Sequence, residues 1–216
     1  MPDTFTIYDR FYFIIYISCL LLSLRARAGN VPGLLFLRLV LCCGLVTEIT
    51  VEVLQYYQIN SNAPYYFYLP MEYVLLTLFY TRNMRRRPAG NWMYASILVY
   101  LGCCLLFGSL PRITNFPSVI YEISCLLNTV WITLLFLSMP HAGGLPVTRH
   151  PMFWIYTALL VFFSCTFYFN AVYAYYLTKN AIVAGQLRNY INNGLNFFLY
   201  LTLSYAFICS RRMKKY

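Results

Sequence analysis

Seven long apolar segments divide this 216-residue chain, and they constrain its fold more than any other feature. A bilayer core about 30 Å thick is crossed by a helix of roughly 20 apolar residues, so segments of this length favour membrane spans. The connections are short, which predicts antiparallel packing of neighbouring helices. We therefore predict an all-α, polytopic transmembrane helix bundle, with residues 1–216 forming a single transmembrane domain. The predicted spans are residues 7–24, 33–56, 65–81, 92–110, 118–138, 152–176 and 190–209.

The composition also favours a membrane protein. Hydrophobic residues make up 61% of the chain and charged residues 10%, whereas about 25% of residues are charged in an ordinary soluble domain. The net charge of +10 raises the question of nucleic-acid binding, which needs basic residues gathered on one folded surface. In this chain the Lys and Arg residues lie between apolar segments. We therefore expect contact with the lipid bilayer and none with nucleic acid.

The positions of the basic residues predict the orientation. With seven spans and the N-terminus outside, eleven of the 16 Lys and Arg residues fall on inner segments and four on outer ones, and Arg38 lies near the inner end of span 2. Inner loops carry such an excess, so we predict a bacterial inner-membrane protein with its N-terminus outside and its C-terminus inside. Asp3 and Asp9 precede the apolar stretch of the first segment and Arg25 and Arg27 follow it, the reverse of a cleaved signal peptide.

Prolines predict where several of the helices begin. Pro32, Pro70, Pro117 and Pro151 fall at or near the start of a span, where the N–H that proline lacks would have no partner. If Pro70 is the first residue of its helix, Glu72 lies in the first turn. The helix dipole favours a carboxylate in that position.

All four glutamates fall inside predicted spans, and their depths agree. At 1.5 Å per residue, Glu48 and Glu52 lie about 24 and 30 Å along the outward-running span 2. Glu72 and Glu122 lie about 10 and 7 Å below the outer ends of spans 3 and 5. All four carboxyls are therefore expected in the outer half of the membrane, together with asparagines from spans 6 and 7. The predicted ligand-binding residues are Glu48, Glu52, Glu72, Glu122, Asn170, Asn192 and Asn196.

These polar side chains have two interpretations. Carboxyls that face lipid tails are unfavourable, so they should turn into the bundle or into a wet cavity. Burial and mutual repulsion oppose the ionisation of neighbouring carboxyls, which suggests that a proton, a small cation or an amine-bearing ligand joins them. Alternatively, Glu and Asn only hydrogen-bond across helices and hold them together. For any residue taken alone the structural interpretation is the better one, and only the clustering favours a site.

The sequence carries no familiar catalytic or cofactor motif. It contains no H-E-x-x-H, G-x-S-x-G, G-x-G-x-x-G or P-loop pattern. Its eight cysteines lie within apolar runs without a C-x-x-C pair, so we interpret them as small buried hydrophobic residues. We accordingly predict no metal site, no cofactor and no catalytic residue.

Two short motifs carry resemblances. With residues 69–73 (LPMEY) opening span 3 and residues 150–154 (HPMFW) opening span 6, the layout resembles small bacterial seven-span membrane proteins of unknown activity. Pro70-Met71-Glu72 also resembles the P-x-E element of the membrane-bound lycopene cyclase family, which implies acids on neighbouring helices that protonate a polyene. That family usually has a second acid where this chain has Tyr73.

Three functions are compatible with the sequence. We favour the binding of a small cation, proton or amine-bearing ligand in a carboxylate and amide pocket, as in a receptor-like or transport-related protein. The first alternative is a membrane-embedded enzyme in which a glutamate acts as general acid on a lipid or isoprenoid. The second is a structural or accessory subunit that binds another membrane protein.

Overall fold

The computed structural model describes residues 7–84, 87–107, 116–139, 147–179 and 181–212. All regular structure within these ranges is helical, which confirms the all-α prediction. Seven α-helices occur in them, with short 3-10 helices at Ala28–Asn30 and Val147–Arg149. The α-helices are α1 (Ile7–Arg25), α2 (Leu34–Tyr56), α3 (Ala63–Asn83), α4 (Arg87–Phe107), α5 (Ser118–Leu137), α6 (Pro151–Lys179) and α7 (Ala181–Arg212).

Four stretches of these helices are long and apolar enough to cross a membrane. They are Leu34–Tyr56, Ala89–Phe107, Ser118–Leu137 and Pro151–Tyr173. Tyrosines make α3 less apolar, and asparagines do the same for α7. The other three spans and the orientation stay predictions, and the end of the predicted fourth span, residues 108–110, lies outside the described residues.

Proline marks the predicted helix starts except that of α3. Pro117 is the N-cap of α5 and Pro151 is the first residue of α6. In α3, Pro64 occupies the first turn and Pro70 lies inside the helix. The prediction that Pro70 begins the helix is therefore wrong, because Pro64 already fills the position at which a missing N–H removes no bond. Glu72 consequently lies in the middle of α3, away from the positive end of the helix dipole.

The chain forms two compact units, and each is described by itself. The first unit includes residues 31–138 and contains α2, α3, α4 and α5. The second unit consists of residues 5–30 and 139–216 and contains α1, α6 and α7.

In the first unit, α3 packs against α2, α4 and α5. Its junction with α2 is close: Gly33, the N-cap of α2, has a φ of 73°, and a Cβ added there would lie 3.2 Å from Arg82 Cβ and 3.3 Å from Phe79 Cδ2. Asn83 Nδ2 donates to the Pro32 carbonyl oxygen at 2.9 Å beside it. The start of α2 therefore lies against the end of α3, where the left-handed backbone favours glycine and the space for a side chain is small.

In the second unit, α7 packs along both α1 and α6. Tyr16 of α1 stacks on Tyr200 of α7, with ring centroids 4.1 Å apart and planes inclined by 19°. Trp154 near the start of α6 meets Tyr205 near the end of α7 edge to face, with centroids 5.0 Å apart. The rings of these four residues therefore join α7 to both of its neighbours.

Candidate functional site

Glu72 is the buried acid of the first unit. It lies on the packed face of α3, and only 9% of its surface is exposed. Its Oε1 accepts a hydrogen bond from the Tyr68 hydroxyl at 3.0 Å. These residues are i and i+4 on the same helix, a spacing that places their side chains side by side. α3 therefore supplies both the carboxyl group and one donor for it.

Glu48 and Glu52 of α2 extend this acidic region. Glu48 lies within electrostatic range of Glu72, and Glu52 lies within electrostatic range of Glu48. Both α2 glutamates are partly buried. Tyr68 and Glu48 are the side chains with the strongest electrostatic effect on the Glu72 carboxyl, and neither carries a positive charge. The structure thus brings three of the four predicted glutamates into one continuous region, which we call the α2–α3 acidic region: Glu48, Glu52 and Glu72.

Glu122 lies on α5 of the same unit. The thiol of Cys125, one turn further along α5, lies within electrostatic range of both Glu72 and Glu122. Tyr100 of α4 also lies within electrostatic range of Glu72. Glu122 is partly buried, whereas Cys125 and Tyr100 are buried. Side chains from all four helices of the unit thus lie within electrostatic range of Glu72.

The three predicted asparagine ligands belong to the second unit, whereas the glutamates belong to the first. Asn170 lies on α6 and is partly buried. On α7, Asn192 is exposed and Asn196 is partly buried. Their assignment to a shared pocket stays a prediction.

A first hydrogen-bond network joins α3, α4 and α5, and the sequence did not predict it. Ser96 Oγ donates to the Met93 carbonyl oxygen at 2.7 Å, so the Tyr73 hydroxyl, 2.8 Å away, acts as the donor to Ser96 Oγ. Trp131 Nε1 lies 3.2 Å from Ser96 Oγ and 3.3 Å from the Tyr73 hydroxyl. Tyr73 follows Glu72 directly in α3, so this network holds the helix that carries the buried acid.

A second network joins α3 to α5. The Tyr80 hydroxyl donates to Asn128 Oδ1 at 2.9 Å, and Asn128 Nδ2 donates to the Ser124 carbonyl oxygen at 2.9 Å. All three residues are buried. Tyr73 and Tyr80 are seven residues apart, two helical turns, and so lie on one face of α3. That spacing is the sequence signal that could have indicated these two networks.

The α2–α3 acidic region can bind a positively charged group, but its geometry differs from that of a metal site. Among the residues that the structure describes, no three His, Cys, Asp or Glu side chains come together in a way that could hold a metal ion. A proton or an organic ammonium group needs fewer ligands than a divalent cation, whose usual coordination number is six or more. The arrangement therefore suits a proton or an amine better than a divalent metal.

Comparison with known proteins supplies no further assignment. No protein-family model, no curated protein and no solved structure matches this chain.

Proposed function

We propose that this chain is a multi-pass protein of the bacterial inner membrane that binds a proton or an amine-bearing ligand at Glu48 and Glu72. Its role would be that of a receptor-like or transport-related protein. All seven helices would span the membrane, with the N-terminus outside and the C-terminus inside. The three helices beyond the four most apolar stretches would be stabilised as spans by packing in the bundle.

The observation that carries this proposal is the position of Glu72. Its carboxyl is buried, its hydrogen-bond donor Tyr68 is neutral, and its charged neighbour Glu48 is another acid. Acids inside membrane helices are rare, and they mark substrate, ion or proton pathways when they face the interior of a bundle. Two neighbouring carboxyls in such surroundings favour the presence of one positive charge, either as a proton or as an ammonium group.

The proposal is tested by the thermal unfolding of the purified full-length protein with and without methylammonium, tetramethylammonium or sodium. A ligand at about 100 times its Kd stabilises the folded state by roughly 2.7 kcal/mol. We expect an ammonium compound to raise the melting temperature of the wild type. Glu72→Gln and Glu48→Gln should each remove most of that increase.

Arg38→Gln is the matched control, since it also changes one charge on α2. Position 38 lies ten residues before Glu48, about 15 Å along the helix, and should leave the ammonium effect unchanged. Equal loss in all three variants would contradict the proposal, and no ammonium effect on the wild type would exclude the amine-bearing ligand. Turnover of a lipid or isoprenoid that depends on Glu72 would instead identify the enzyme alternative.

A further inference from the structure

The second unit has almost no acidic residues. Its residues, 5–30 and 139–216, include ten Lys and Arg but a single acid, Asp9. Asp9 lies in the first turn of α1. The excess positive charge of this unit therefore needs counter-charges that its own side chains do not supply.

Five arginines of this unit lie at one end of its helices. They occur at the last residue of α1, in the connection after α1, just before α6, and at the last two residues of α7. All five side chains are exposed. We call this group the arginine end: Arg25, Arg27, Arg149, Arg211 and Arg212.

Hydrogen bonds and ring contacts hold these segments together. Ser210 Oγ donates to the Arg27 carbonyl oxygen at 3.3 Å, and Asn30 Nδ2 donates to the Ser210 carbonyl oxygen at 2.7 Å. The connection after α1 is therefore bound to the end of α7, next to Arg211. The contact of Trp154 with Tyr205 brings the start of α6 to the same end. The five guanidinium groups thus belong to one surface made by three helices.

The single acid of the unit lies far from this surface. Asp9 and Arg25 are separated by 16 residues of α1, which is about 24 Å along the helix axis. Charges in water that are this far apart are largely screened at physiological ionic strength, where the Debye length is about 8 Å. Among the described residues of this unit, no Asp or Glu side chain therefore lies close to the arginine end.

Aromatic residues lie beside the arginine end. Tyr205 is half exposed, and Trp154 Nε1 donates to the Thr148 carbonyl oxygen at 2.7 Å. Trp and Tyr are enriched at the depth of lipid headgroups, because their rings are apolar on one side and polar on the other. Both residues lie within two helical turns of an arginine of this surface, so the rings and the guanidinium groups can lie in the headgroup layer together.

We propose that the arginine end binds the phosphodiester headgroup of an anionic phospholipid. Guanidinium groups offer paired donors that match the oxygen atoms of a phosphate, and each basic group near an anionic membrane surface contributes favourably to binding. This binding surface lies in the second unit, has an anionic ligand, and does not depend on the function proposed for Glu48 and Glu72.

The test is a titration of the full-length protein in neutral detergent with phosphatidylglycerol or phosphatidylcholine, followed by melting temperature. We expect phosphatidylglycerol to raise the melting temperature well above the value with phosphatidylcholine. Each arginine removed should weaken the apparent affinity roughly fivefold, so Arg27→Gln combined with Arg211→Gln should weaken it by about thirtyfold. The Gln variants should melt as the wild type does in phosphatidylcholine, because the exchanged side chains are exposed.

Arg10→Gln is the matched control, because Arg10 is an exposed arginine at the opposite end of α1. It should leave the affinity for phosphatidylglycerol within about twofold of the wild type, as expected of a charge beyond the Debye length. Equal effects of the two lipids would overturn the proposal. So would an equal loss in Arg10→Gln, or the same stabilisation by soluble glycerol phosphate, which lacks acyl chains.

Discussion

The hydrogen bond between Tyr80 and Asn128 gives the sharpest test of the packing in the first unit. Both residues are fully buried, and the bond of 2.9 Å joins α3 to α5. Asn128→Leu removes the acceptor and preserves much of the side-chain volume. It removes the bond that the Tyr80 hydroxyl donates to Asn128 in a buried place, whereas the Ser124 carbonyl that Asn128 Nδ2 contacts keeps its place in the helix.

The expected loss of stability has two contributions, the lost interhelical hydrogen bond and the buried hydroxyl that made it. Interhelical hydrogen bonds in membrane proteins contribute about 0.6 kcal/mol on average and up to about 1.7 kcal/mol. A buried hydroxyl that loses its partner destabilises the fold by about 1–3 kcal/mol. We therefore expect Asn128→Leu to lower the free energy of unfolding by about 2 kcal/mol and Tyr80→Phe to lower it by about 1 kcal/mol. The double variant should lose only about 2 kcal/mol, because the second change leaves no further group unpaired.

The measurement is reversible unfolding by SDS in mixed micelles, followed by tryptophan fluorescence and far-UV circular dichroism. Tyr168→Phe serves as the control, because this tyrosine of α6 is 72% exposed and its exchange should change the free energy by less than about 0.5 kcal/mol. Strict additivity of the two buried variants, with a coupling energy below about 0.3 kcal/mol, would refute the assigned bond.

Three further stability predictions rest on single residues. Burial lowers the pKa of His150, whose Nδ1 accepts the backbone N–H of the second residue of α6 at 3.3 Å. The folded state then holds the proton of His150 less tightly than the unfolded state does, so the melting temperature should fall as the pH drops below about 6.5. His150→Asn should reduce this dependence of the melting temperature on pH. An unchanged pH dependence in the variant would contradict the prediction. Thr77→Val and Thr166→Val should each raise the free energy of unfolding by about 1 kcal/mol, because neither buried hydroxyl has a hydrogen-bond partner among the described residues. A lower denaturation midpoint in either variant would contradict the prediction for that residue. Gly33→Ala should lower the melting temperature by an amount equivalent to about 1–2 kcal/mol. Gly90→Ala is the control and should not lower it, because an added Cβ there meets nothing within 4 Å. Equal effects of the two changes would contradict the close approach of Gly33 to α3.

Hydropathy and loop composition predict most helix boundaries in this chain, and the exceptions have physical reasons. The predicted spans 33–56 and 118–138 agree closely with α2 (Leu34–Tyr56) and α5 (Ser118–Leu137). α7 instead begins at Ala181, nine residues before the predicted span, because a helix continues through polar residues such as Gln186 and Arg188 that interrupt an apolar run. α3 continues through Pro70 for a related reason: one missing backbone bond does not end a helix when its neighbours compensate.

The candidate site could be predicted only in part. The i, i+4 pair Glu48 and Glu52 and the similar depths of Glu48 and Glu72 depend on helix geometry, which the sequence supplies. The bond from Tyr73 to Ser96 depends on how α3 and α4 are rotated about their axes. The seven-residue spacing of Tyr73 and Tyr80 indicates a shared face of α3, but it does not say which residues of the neighbouring helices that face meets, so such cross-helix pairs require coordinates.

The carboxyl group at position 72 bears on whether the α2–α3 acidic region is structural or binds a ligand. The bond that Tyr68 donates to Glu72 Oε1 needs only an acceptor oxygen, and a glutamine amide supplies one in the same place. Two carboxylates at Glu48 and Glu72 would repel each other, so an amide should serve a purely structural purpose at least as well. Without ligand we therefore expect Glu72→Gln to melt at the same temperature as the wild type or higher. Of these two proteins, only the wild type should gain stability from an ammonium compound. A clearly lower melting temperature of ligand-free Glu72→Gln would show that the carboxylate itself holds the helices together, and would refute this reasoning.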